Sequence, residues 1–149
     1  MSDIILSSEV FEPVRIKRSD GKILAEFSFN PSDSNIVERY EEFIDGFKEL
    51  ADKIRDYEIM KEDANDLDSK RKAMKEISEE ICRKVDKLLN EEVSGNIFSV
   101  MGPLSPLPSG DYYFAFIIEQ ISKKIKNSTG HRMKKMEMKI NKHTSKYHG

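Results

Sequence analysis

Apolar residues at Ile36, Tyr40, Phe43, Phe47, Leu50, Ile54 and Tyr57 recur at alternating steps of four and three. Only a helix keeps such positions on one face, so the spacing predicts a long amphipathic helix over about 31–60. Val37, Ile44 and Ala51 widen the stripe. A stripe that wide has to be covered, which commits the chain to a mainly helical core. Its aromatic residues read first as core, and alternatively as part of a groove for a partner. Asn30-Pro31-Ser32-Asp33 precedes the stripe. Asn30 is the expected N-cap, Pro31 the first helical residue, and Asp33 the far side of a capping box.

The segment before it has a different period. VRIKRSDGKILAEFSF (14–29) holds two alternating runs around Asp20-Gly21. A two-residue type I′ turn there pairs Ser19 with Lys22, Ile16 with Ala25, Val14 with Phe27 and Arg15 with Glu26. One face is then apolar and the other charged, with Leu24 opposite Lys17 as the misfit. A two-stranded ribbon is marginal by itself, so its apolar face has to lie on the helices or gain strands from another chain.

KEDAND (61–66) interrupts the helical pattern, and a second helix follows from about Leu67 to Val93. SGNIFSVMGPLSPLPSG (94–110), with three prolines, reads as an ordered loop,. Asp111 is the expected cap of a third helix, YYFAFIIEQISKKIKN (112–127), in which Tyr112 to Ile118 are apolar without interruption. Such a helix is buried on every side, within the fold or under another subunit. Asn127-Ser128-Thr129-Gly130 stops it. The expected fold class is mainly α: an N-terminal β-hairpin (about 13–29), then a three- to four-helix bundle with a Gly/Pro-rich loop before the third helix. One domain spans 1–129, and 130–149 form a basic, flexible tail in which Met133, Met136 and Ile140 allow a weak amphipathic turn or two.

Charge is divided along the chain. Residues 123–149 carry nine basic residues against Glu137, a net of +8, while the other 122 carry sixteen basic and twenty-six acidic residues, a net of −10. An acidic body with a basic tail speaks of partners more than of fold. No run of eighteen apolar residues is present and MSDIILSSEVFEP has no basic n-region, so neither a membrane span nor a secretory signal is expected,. Cys82 is the sole cysteine, which fits a reducing cytosol and a packing role,. Chemistry is not encoded in any recognisable set. Gly-rich phosphate loops are absent. His131, His143 and His148 share no helical face, and Asp63, Asp66 and Asp68 lack the glycine of a calcium loop, Ser69 standing in its place,. No catalytic, cofactor or metal site is expected, and the protein reads as not an enzyme.

The order of hairpin, FSFNPSDSNIVERYEEF (27–43), Gly/Pro loop, YYFAFIIEQI (112–121) and basic ending KHTSKYHG (142–149) resembles the small tail assembly chaperones of long-tailed phages of Gram-positive bacteria. The resemblance of plan covers about residues 12–149. It implies a non-enzymatic factor of the host cytoplasm that coats the tape measure protein, keeps it soluble, helps recruit tail-tube subunits and is not retained in the virion. Such a role needs apolar contact surface, and the partner-binding candidates are Phe98, Met101, Leu104, Tyr112, Tyr113 and Phe116, with Lys134 and Lys135 from the tail. Self-association is left open. The alternatives are a nucleic-acid-binding protein acting through the basic tail, or a bacterial oligomeric adaptor. Tyr147 is the tail's sole aromatic, which argues against nucleic acid,.

Overall fold

The computed structural model describes residues 1–62, 66–134 and 136. It is mainly helical. A short 3₁₀ turn (Ser8–Val10) leads into an antiparallel hairpin of β1 (Glu12–Lys17) and β2 (Ile23–Phe29). Five α-helices follow among the described residues: α1 (Ile36–Asp45), α2 (Phe47–Met60), α3 (Leu67–Leu89), the single turn α4 (Ser94–Ile97) and α5 (Tyr113–Thr129).

Val14 pairs with Phe27, Arg15 with Glu26 and Ile16 with Ala25, as the alternation requires. The turn differs from the expected one. Gly21 N–H donates to the Arg18 carbonyl at 2.9 Å and Arg18 N–H to the Lys22 carbonyl at 2.8 Å, so the loop has three residues, Ser19 to Gly21. Gly21 alone in this loop has positive φ, +94°. The left-handed residue of a three-residue hairpin loop is a glycine for that reason. Arg18 stacks the loop by bonding the Asp20 carboxylate, and this holds that carboxyl below its usual range. Lys17 then faces Ile23, and Leu24 is an extra residue, a bulge,. The longer loop and the bulge each shift the register by one, in opposite senses, so the body of the hairpin is the expected one.

The long helix is two helices and begins later. The Asn30 side chain accepts from Ser32 N–H at 3.0 Å, and Asp33 from Asn35 N–H at 2.9 Å. These are successive Asx turns, in which short polar side chains outcompete the helix for backbone donors. Asn30 therefore caps a turn, no capping box closes, and α1 starts at Ile36. Asp33 also receives Arg39 at 3.0 Å, while Arg39 Nε reaches the Leu88 carbonyl at 2.9 Å and ties α1 to the end of α3. Gly46 separates α1 from α2, with the Lys84 amine and the Glu42 carbonyl close to where a Cβ would stand. The stripe nonetheless runs unbroken across the joint: Ile36, Tyr40, Phe43, Phe47, Leu50, Ile54 and Tyr57 are all buried.

Asp66 caps α3 by accepting from Ser69 N–H at 3.1 Å. The helix ends at Leu89, four residues before the expected Val93, because Asn90 adopts φ +53°, the left-handed conformation that closes a helix,. Val93 and Ser94 N–H then both donate to Asp86 Oδ1, at 2.9 and 2.8 Å, and the Ser94 hydroxyl to Oδ2 at 2.8 Å. That carboxylate holds the start of α4, a helical turn inside the segment expected to be loop throughout.

Asp111 does not cap α5. Its helix start is satisfied by the Gly/Pro loop itself: Tyr113 N–H donates to the Ser105 carbonyl at 2.9 Å and Phe114 N–H to the Pro103 carbonyl at 3.0 Å. Prolines keep the loop carbonyls aimed, since Pro103 and Pro106 fix φ. Gly130, φ +74°, ends the helix as expected,.

Candidate interaction surfaces

α5 and its N-cap position three of the eight candidate contact residues, Tyr112, Tyr113 and Phe116. Tyr112, Tyr113, Phe114, Ala115, Ile117 and Ile118 are all buried, and Phe116 is 39 % exposed. Tyr112 donates to Glu58 Oε1 at 2.8 Å and Tyr113 to the Ile97 carbonyl at 2.8 Å. Burial pushes the Tyr113 hydroxyl up to about 12, and burial together with the bond to Glu58 raises Tyr112 further still. Both phenols are structural ties between α5 and its neighbours. With Leu104, also buried, Tyr112 and Tyr113 leave the set of available contact residues, because their surface is spent inside the fold.

Phe98 is half-buried, edge-on to Tyr113 with ring centroids 5.8 Å apart. Met101, in the Gly/Pro loop, is 37 % exposed. Lys134 is exposed, its amine 3.5 Å from Asp45. Lys135 lies outside the described residues, as do Ile140, His143, Tyr147, His148 and Asp63. Of the segment expected as a tail, residues 131–134 and 136 are described. Met133 and Met136 pack on the core, and Tyr40 donates to the Lys134 carbonyl at 2.9 Å.

Two of the concave surfaces adjoin these candidates. The first, of about 560 Å³, lies between α5 and the segment after Gly130; Tyr40, Ser122, Lys126, Arg132, Met133 and Lys134 are among its walls. Basic side chains dominate its rim, although Asp111 and Glu119 also line it. The second, of about 380 Å³, runs between β1 and α5. Val14, Ile16, Phe27, Phe116, Ile117 and Ile121 supply its apolar walls, with Lys17 and Lys124 also lining it. Lys124 is 3.5 Å from Glu12.

Cys82 is half-buried, and burial pushes its thiol up, which disfavours the nucleophilic thiolate,. Among the described residues no cluster of three or more His, Cys, Asp or Glu side chains could hold a metal ion, and no helix is long and apolar enough to cross a membrane.

One apolar feature escaped the sequence reading. Ile4, Ile5 and Leu6, ahead of the 3₁₀ turn, are 100 %, 89 % and 63 % exposed. Three consecutive large apolar residues in the polar context MSDIILSS were the available signal.

No family model matches the chain, and no curated protein or solved structure matches it.

Proposed function

We propose that the protein is a non-enzymatic assembly factor of the phage tail type, one that binds a tape measure protein, keeps it soluble and helps bring tail-tube subunits to it. The observation that carries this reading is the order of its parts: hairpin, Asn-Pro-Ser-Asp turn, Tyr-Glu-Glu-Phe helix, Gly/Pro loop, YYFAFIIEQI helix and basic ending. The same parts in the same order give the resemblance to small tail assembly chaperones. Met101, exposed in the Gly/Pro loop, and half-buried Phe98 three residues before it support the reading by offering apolar contact of the sort a helical client needs,. The division into a body of −10 and an ending of +8 supports it by providing solubility on one side and attraction on the other,. On this reading the factor works in the host cytoplasm and is absent from the finished particle.

The test is co-expression with a tape measure protein. Wild type should raise the soluble tape measure fraction. Met101→Asp, which alters an exposed side chain, should lower it without changing the melting temperature. Binding by the full chain should weaken as salt rises, and a chain ending at Met136, which lacks Lys139, Lys142 and Lys146, should bind less tightly at low salt and depend less on salt,. Unchanged tape measure solubility together with tight, salt-sensitive binding of duplex DNA or RNA would overturn the assignment in favour of nucleic-acid binding.

A further inference from the structure

We infer that two copies of this chain exchange their N-terminal arms, Met1–Ser7 of each copy adding as a strand to the open edge of β1 in the other. The hairpin has two edges and they are treated differently. On β2 the outward-facing Glu26 carbonyl accepts from Asn96 Nδ2 at 2.8 Å, so α4 blocks that edge. On β1, the inward Arg18 N–H to Lys22 bond and the period of two place Pro13, Arg15 and Lys17 outward,. Among the described residues no backbone bond from outside the hairpin reaches them. Proline at the first of these positions removes a donor the hairpin never uses, as edge strands allow. The remaining N–H and C=O groups of Arg15 and Lys17 form an unpaired template of the kind that recruits a strand.

Beside that edge lies the groove of about 380 Å³, walled by Phe116, Ile117 and Ile121 of α5. A strand bonded to β1 would lay alternate side chains over it. The arm has the matching pattern, since Ile4 and Leu6 fall on one face and both are exposed. Seven extended residues reach roughly 23 Å, enough to cover the six-residue β1,. The arm does not reach its own β1. Only Ser8 to Phe11 separate them, and that link is a 3₁₀ turn seated by Ser7 against Glu9 N–H, which leaves Ile4 and Ile5 in solvent. Mutual exchange of identical arms closes as a two-fold dimer.

The test needs no client, so its outcome is separate from that of the chaperone reading. Sedimentation and light scattering of the full chain at micromolar concentration should give twice the monomer mass. Deleting residues 1–7, or combining Ile4→Asp with Leu6→Asp, should give monomers with an unaltered circular dichroism spectrum. In a Cys82→Ser background, chains bearing Leu6→Cys mixed with chains bearing Gln120→Cys should form an inter-chain disulfide. The proposal is overturned if wild type is monomeric throughout, if the dimer survives arm deletion, or if a chain bearing both cysteines cross-links only within itself.

Discussion

Asp86→Ala should be among the most damaging single changes at a charged residue. The Asp86 carboxylate accepts three hydrogen bonds, from Val93 N–H, Ser94 N–H and the Ser94 hydroxyl, at 2.9, 2.8 and 2.8 Å. Ser94 is buried, so its donors cannot turn to bulk water when the acceptor goes. A hydrogen bond to a charged group contributes about 1.5–3 kcal/mol, and bonds sharing one acceptor do not add fully. The expected loss is therefore about 3 kcal/mol, which in a domain of this size lowers Tm by roughly 6–12 °C. Asp86→Asn keeps a carbonyl oxygen for the two backbone donors and should lose less than half as much. Ser94→Ala alone should cost about 1 kcal/mol, and the double variant should show coupling. Urea unfolding measures these losses, and hydrogen exchange should accelerate at Val93 and Ser94 first. A loss below about 0.5 kcal/mol for Asp86→Ala, typical of an inconsequential surface site, would refute the claim that this carboxylate holds α4 to α3.

Gly21→Val should destabilise the hairpin by about 1–3 kcal/mol, since φ of +94° is strained for any β-branched residue,; an unchanged denaturant midpoint would contradict the three-residue loop. Tyr40→Phe removes the bond to the Lys134 carbonyl and should cost about 1 kcal/mol, with proteolysis after Arg132 becoming faster,. Stability should also fall in alkali. The Tyr113 hydroxyl is raised from 10.0 to about 12 in the folded chain, so its neutral form contributes stability that is complete below pH 10 and is lost as pH rises to about 12,. Ultraviolet titration should then show Tyr113 ionising together with unfolding, whereas Tyr113→Phe should shift the alkaline midpoint upward.

Elements with a strong period were legible in the sequence, and their ends were not. The apolar stripe of α1 and α2 told which side is buried at every step, because burial depends on spacing alone. It was silent on Gly46, where a local break leaves the facing direction intact. Asn30 and Asp33 have the chemistry of a helix cap and of an Asx turn alike, and only the position of Arg39 over Leu88 favours the second. Asn90 ended α3 early by a conformation that asparagine tolerates without requiring it. For the hairpin, two unrecognised irregularities cancelled. The contact candidates divided for a similar reason. Leu104, Tyr112 and Tyr113 are as apolar as Phe116, and no local pattern separates a residue covered by its own loop from one left in view.

The seven apolar residues at the start of α5 posed a choice between burial inside the fold and burial under another subunit. Six of the seven are buried within the chain itself, and Phe116 is not. Pro103 and Ser105 bring the Gly/Pro loop over the helix start, Tyr112 reaches Glu58 on α2, and six of the seven side chains are thereby enclosed by the chain itself. Phe116 remains, and the positions one and two turns later on the same face are Gln120 and Lys124. The face toward the hairpin thus passes from apolar to polar to basic along the helix. A core face would remain apolar, and a solvated face would not begin with phenylalanine. This gradient sits beside the one hairpin edge that Asn96 leaves open. The ribbon is not self-sufficient: Phe27 and Phe29 anchor it in the core, and among the described residues the outer edge of β1 takes no backbone bond from elsewhere.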